Sequence, residues 1–426
     1  MKNANIGDPA EFDDIIAWAG GPLPDSVERK ARLLLLDSIG CVIAGLRHAE
    51  VRALAHSLAV WFPGDVGLFG VDISLGPAGV AALAAAAMCW DEANEGLARA
   101  HGRPALAVVP ALLGLAGRHD LGALLRALVV GYEVGGRAGE IWRIRPGMHV
   151  DGSWHALGAA ASCAMLTGGD AARAVRIAAC QIPFSLYRPL AFGMTGRNSY
   201  AAHAALLGAL SAAAASAGSD APEGGLAEAR RLALLREDPP LRTPAGVWLI
   251  EEAYLKPFAG VRHAHYGAAA AIATRARIAD SSGITAIRLE TYGEALRYAA
   301  NRAPRTPIAA QFSLSFGVAA GLRFGDLSPD AYRAMDDAEL LRLEQLVELA
   351  EDASMTFANR RAARLSVTVP EGVVQVEIDT VPGDPGRPMS AADTEAKFLR
   401  LAGHLPGAAA IARGVLGGSA GSRAFP

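Results

Sequence analysis

The sequence predicts a mainly α protein. A large all-helical domain is expected over residues 1–252, rejoined by residues 390–426, with a smaller α+β domain over 253–389. Three observations predict this. Apolar residues recur at helical spacing through most of 10–252, with few β-branched runs. After about 252, short alternating segments appear between helical ones, the pattern of an α+β unit. From about 389 the helical spacing returns.

Element by element, "VERKARLLLLDSIGCVIAGL" opens the helical part, and 76–90, 104–117, 121–140, 155–166 and 201–217 follow the same period. Their many Ala and Gly residues imply closely packed helices, because small side chains let backbones approach. Breaks are expected at the Gly/Pro/Asp clusters "FPGD", "RIRPG" and "TGGD". In the second part "ITAIRLETYG" (284–293) alternates as a strand would. "AARLSVTVPEGVVQVEID" (362–379) reads as two strands joined at Pro370-Glu371-Gly372, a hairpin. Helical segments lie between, at 262–278, 308–324 and 338–352. There is no convincing repeat and no long low-complexity linker.

Composition bounds the function. A length of 426 residues suits two domains, and 52% hydrophobic against 19% charged residues supports a large core rather than disorder. Lys plus Arg is 40 and Asp plus Glu 43, so nothing global points to nucleic acid or an anionic membrane surface. Any anionic ligand must therefore be met by a local cluster of positive groups. Cys41, Cys89, Cys163 and Cys180 sit among apolar and small residues without a CxxC pair, which reads as buried free thiols of a reducing compartment. The N-terminus is polar and acidic, with no signal-peptide core. The strongest membrane candidate, 201–218, is mostly alanine, contains His203, and is short for a span of about 20 apolar residues. A cytoplasmic protein is expected.

Several motifs are set aside. "GGSAG" matches G-x-S-x-G around Ser419, but a nucleophile elbow needs a strand before and a helix after, and the chain ends here. There is no P-loop, HExxH or CxxC. "GYEVGGRAGE" lacks dinucleotide spacing. His263-x-His265 has a metal-hydrolase spacing but no acidic cluster with it, so no metal is expected.

Four polar stretches remain. "CWDEANEGLARAHGRP" places Asp91 and Glu95 four apart, on one face if helical, with His101 and Arg103 beyond an expected helix break. Its plainer reading is a solvated turn. "RIRPGMHVDGSWHALGAA" runs a Gly/Pro loop, with His149, into a helix start near 153, a natural place for a carboxylate; the plainer reading is that His149 only caps or packs there. "GMTGRNSYAAHAA" offers Arg197 and Asn198 before an apolar helix, and Arg forks a carboxylate well. "AYLKPFAGVRHAHYGAAAA" concentrates Lys256, Arg262, His263 and His265 at the domain boundary, either an anion pocket or a solvated basic face. Together they suit proton abstraction beside a carboxylate, with cations stabilising an enolate-like intermediate.

Nearly end to end, the chain resembles the MmgE/PrpD family. That family includes 2-methylcitrate dehydratase, cis-aconitate decarboxylase and iminodisuccinate epimerase. "ARLLLLDSIGCVIAGL" resembles its opening helix, "AALAAAAMCWDEANEGLARAHGRPALAVVPALLGLAG" its acidic segment, and "GMHVDGSWHALGAAASCAMLTGGD" its His-loop-helix segment. "GRNSYAAHAALLGALSA" resembles the next helix. "KPFAGVRHAHYGAAAA", "APRTPIAAQFSLSFGVAAGL" and "VPGDPGRPMSAADTEAKF" resemble its lid-domain signatures. The resemblance implies an α+β lid on a helical domain, a pocket between them, a homodimer, and no metal or organic cofactor. It implies site roles for Asp91, His101, His149, Lys256 and His265. Glu95 stands where many members have Thr, Gly260 where Cys is frequent, and Phe316 where Tyr is usual; Arg197 takes the place of a Lys. A cofactor-free lyase (dehydratase or decarboxylase) on a small di- or tricarboxylic acid, an isomerase or epimerase with the same proton chemistry, and a non-catalytic binding protein all remain open.

Overall fold

A computed structural model describes residues 11–357 and 361–422. Its helical part is built on small residues. The helices Pro77–Trp90 and Ala105–Leu113 are buried along almost their whole length. The helices Leu121–Ile141 and His155–Leu166 cross at Gly131 and Gly158, where a methyl group on either would stand 2.7 or 2.6 Å from the other's carbonyl oxygen. This is the close approach that the Ala/Gly content predicts. At "TGGD", Gly168 turns the chain with φ +73 and Asp170 accepts a hydrogen bond from the Arg173 N–H, starting the next helix. The helix Ser199–Ser216 packs on Pro77–Trp90 and His155–Leu166. Among the described residues no helix is long and apolar enough to cross a membrane.

The second part holds a four-stranded sheet in the order Val347–Glu351, Ala286–Thr291, Ala363–Val369, Gly372–Ile378. The first pair is parallel and the others antiparallel. Ile287, Leu289, Leu365 and Val367 turn inward, and the helix Arg262–Arg275 packs between the sheet's last two strands and the helix Leu314–Phe324. The expected helix 338–352 ends at Leu346; its last residues form the parallel edge strand, because Val347 and Leu349 face a strand some sixty residues earlier in the chain. The expected helix 308–324 is interrupted at Phe312–Ser313, where the Ser313 hydroxyl caps the second piece by accepting from the Phe316 N–H.

The tail packs back onto the first part. The helix Ala391–Ala402 lies on Asp25–Gly45, and buried Lys397 donates to Asp37 (2.5 Å) and to the Ala93 carbonyl (2.7 Å). Ala93 belongs to the charged loop after Trp90, so the tail helps hold that loop. Ser419 follows a helix, Ala408–Gly417, and no strand precedes it. The cysteine expectation needs one correction: Cys41, Cys89 and Cys163 are buried, but Cys180, at the end of the short helix Ala171–Ala179, is exposed.

Candidate active site

Between Trp90 and Ala105 the chain is not helical. Asp91 and Glu95 therefore do not share a helix face, as their spacing had suggested. Asp91 ends the first helix, Glu92 at φ +52 turns the chain, and His101 at φ +49 turns it again. Positive φ is costly for such side chains, and strain of this kind gathers at functional sites. Asp91 meets His48 at 2.8 Å. It does not orient His101, which faces other groups. Glu95 accepts the Ala105 N–H at 2.8 Å, and burial raises its carboxyl to about 8.

Behind this loop lies a sealed ionic network. Glu92, Asp151, Arg103, Arg197 and Lys256 are all buried. The Glu92 carboxylate accepts from Arg197, from Arg103 at 3.0 Å and from Lys256 at 3.2 Å. Arg103 also reaches Asp151 and donates to Asn94 at 2.7 Å. Lys256 donates further to the carbonyls of Glu92 (2.7 Å) and Gly260 (3.2 Å). Arg197 contacts the Cys89 sulfur at 2.7 Å. Burial alone would raise the Glu92 carboxyl, but Arg103, Arg197 and Lys256 together hold it down at about 2. Burial also brings the Lys256 ammonium down to about 8, against the pull of Glu92. Three cations face two carboxylates here, so one positive charge is in excess.

Cys89, Glu92 and Asp151 have ligand atoms within 4.8 Å of one another. Both carboxylates already accept from guanidinium groups, so a dication would have to displace Arg103 and Arg197. His263 and His265 do not form a metal pair either. His263 bonds Tyr292 at 2.6 Å, while His265, fully buried, bonds the Gly260 carbonyl at 3.3 Å and Arg262 at 3.2 Å. Burial, then Arg262, hold the His265 ring well below the usual imidazole range. Arg262 is bound to Asp384. His149 accepts the Asp151 N–H on Nδ1 at 3.0 Å and lies 5.9 Å from the rings of both Tyr187 and Tyr200; burial lowers it to about 4. Asn198 is buried with neither amide atom bonded among the described residues.

His101 stands apart from this network. It is exposed, at the seam between the helical part and the sheet-bearing part, and its charged neighbours are Arg143, Glu294 and Arg361. Partial burial, then Arg143, shift its ring below the usual imidazole range. Backbone bonds of 3.0 and 2.9 Å tie Gly96 and Tyr254 across the same seam.

The departures from the family pattern are physically linked. Gly260 has φ +85, and a Cβ there would stand 2.3 Å from the Tyr332 hydroxyl. Tyr332 in turn stacks on Phe316 with ring centroids 5.2 Å apart. One phenol thus fills the space of a side chain at 260 and covers the ring at 316.

Residues 18–234 match the MmgE/PrpD N-terminal domain, and residues 258–414 match the MmgE/PrpD C-terminal domain. The chain belongs to the MmgE/PrpD family. No curated protein matches it. Members of the MmgE/PrpD family are generally lyases. Asp91, His101, Arg103, His149, Arg197 and Asn198 lie in the first matched segment, Arg262 and His265 in the second, and Lys256 between the two. Sequence reasoning missed Glu92, Asp151 and Cys89 as partners in the network. Asp151, an acid between His149 and His155, was the one with a visible signal.

Proposed function

We propose that this MmgE/PrpD protein is a cofactor-free lyase acting on a small di- or tricarboxylic acid by proton abstraction next to a carboxylate. The observation that carries this reading is His101: an exposed imidazole, shifted toward its neutral form, set at the seam with the positive charges of Arg143 and Arg361 among its neighbours. A neutral imidazole accepts the proton from carbon; the electron pair passes into the neighbouring carboxylate as an enediolate, which nearby positive charge stabilises. In a dehydration the β-hydroxyl then departs with a proton as water. Behind the loop the carboxylates Glu92 and Asp151 hold Arg103, Arg197 and Lys256 in place.

The same first step, followed by proton return from the opposite face, would make the protein an epimerase. The His263–Tyr292 pair, at 2.6 Å, supplies a second proton carrier near Lys256 and supports this alternative. A homodimer is part of the proposal. It is supported by an apolar surface running from Phe62 and Leu210 to Phe184 and Phe192 through two grooves that share His203.

The test is to incubate the full chain with a panel of di- and tricarboxylic acids in deuterated water. Growth of ultraviolet absorbance from a new alkene is expected for a lyase. Deuterium uptake without an alkene would assign the epimerase. Binding with neither would leave a non-catalytic protein and overturn the proposal.

A further inference from the structure

We infer that Arg361, with the phenol of Tyr254, forms a carboxylate-binding subsite at the domain seam, holding the end of the substrate remote from the reacting carbon. This rests on reading the seam as the active site. Neither residue stands out in the sequence.

Register brings Arg361 to the seam. Thr291 pairs with Ala363, and its hydroxyl donates to the Ala362 carbonyl at 2.7 Å. Arg361 therefore leaves the sheet beside Tyr292 and Gly293. The groups interacting with its guanidinium are Tyr292, Tyr254, Tyr266 and Glu294, with His101 and His263 also in range. Arg103, Arg197 and Arg262 have carboxylate partners, Asp151, Glu92 and Asp384 in turn, and Arg143 donates to the Arg99 carbonyl at 2.9 Å. Arg361 has no hydrogen bond or ion pair among the described residues, although it is only half-buried and open to a ligand.

The phenols divide in a telling way. Tyr266 donates to Asp384 (3.0 Å), and Tyr292 is engaged with His263. Tyr254 has no hydroxyl partner among the described residues. Its position is nonetheless fixed: its backbone pairs with Gly96, and a Cβ on Gly96 would stand 2.2 Å from its oxygen. Gly96 is needed so that this hydroxyl can lie over the loop. At the seam a guanidinium fork and a held phenol are thus free to donate, with the His101 ring beside them. A fork plus one hydroxyl suits the two oxygens of a carboxylate. Glu294 beside Arg361 opposes a doubly charged phosphate more than a singly charged carboxylate.

The test is calorimetric binding of succinate and of butyrate, its monocarboxylate counterpart, to the full chain. The parent is expected to prefer succinate. Arg361→Gln should lose about tenfold or more in succinate affinity, the scale of hydrogen bonds to charged groups, while butyrate binding changes little. Tyr254→Phe should lose less. Unchanged succinate affinity in Arg361→Gln, with His101→Gln still impaired in proton exchange, would overturn this subsite and leave the proposed function standing. Failure of the parent to bind either acid would overturn both. If Arg361→Gln does not fold, phenylglyoxal labelling of the parent decides: succinate should protect Arg361, and equal labelling with and without succinate would refute the subsite.

Discussion

Glu92→Gln should destabilise the fold strongly and in a pH-dependent way. The substitution keeps the side-chain shape but removes the charge that Arg103, Arg197 and Lys256 share. Asp151 would then be the only network carboxylate for three cations, and the excess rises from one positive charge to two. Removing one partner of a buried pair costs about 3–5 kcal/mol. The carboxyl itself gives the same scale: it is held at about 2 against an ordinary 4.5, and each unit corresponds to about 1.4 kcal/mol. Because the folded value is the depressed one, this stabilisation is fully present above 4.5 and is lost as pH falls toward 2. Urea unfolding of parent and variant at pH 7, 5 and 3 reads it directly. The variant should be about 3 kcal/mol less stable at pH 7, with a gap that narrows sharply by pH 3. A loss under about 1 kcal/mol at pH 7, well below the buried-pair scale, or a gap independent of pH, would refute the network as described.

Three further outcomes follow from the same geometry. Glu95 is raised from 4.5 to about 8 by burial, so keeping it protonated in the fold costs stability between those values; Glu95→Gln should gain in melting temperature over the parent as pH rises from 5 to 8, and a constant difference would contradict this. Gly260→Ala should destabilise through its φ of +85 and the Tyr332 hydroxyl 2.3 Å away, and combining it with Tyr332→Phe should recover part of the loss; strictly additive effects in urea unfolding would show that the contact is not felt. The exposed Leu210 lies on the apolar surface proposed to join two copies; light scattering should give a dimer mass for the parent and a monomer mass for Leu210→Glu, and a monomeric parent would remove the dimer from the account.

What was legible in the sequence was local. The helix Pro77–Trp90 and the hairpin strands Ala363–Val369 and Gly372–Ile378 follow from period and turn chemistry alone. The strand Val347–Glu351 did not, because its alternation has meaning only beside Ala286–Thr291, a partner distant in the chain. In the site the same division holds. Charge within apolar surroundings pointed to Arg103, Arg197 and Lys256. Positive φ at Glu92 and His101 sends neighbouring residues to different partners, so Asp91 meets His48 instead of His101. Arg361 carries no sequence signal at all, since its importance comes from lacking a partner at a seam made by the fold.

Proton transfer beside a carboxylate is placed at the His101 seam. Proton NMR of deuterium uptake at the carbon next to a carboxylate, for parent and His101→Gln on the same acid, tests it most directly. Uptake by the parent is expected, with a loss of about 10²-fold or more in the variant, the usual scale for a general base, and carboxylate affinity little changed. Equal rates of uptake in the two proteins, both folded and both binding the acid, would contradict it.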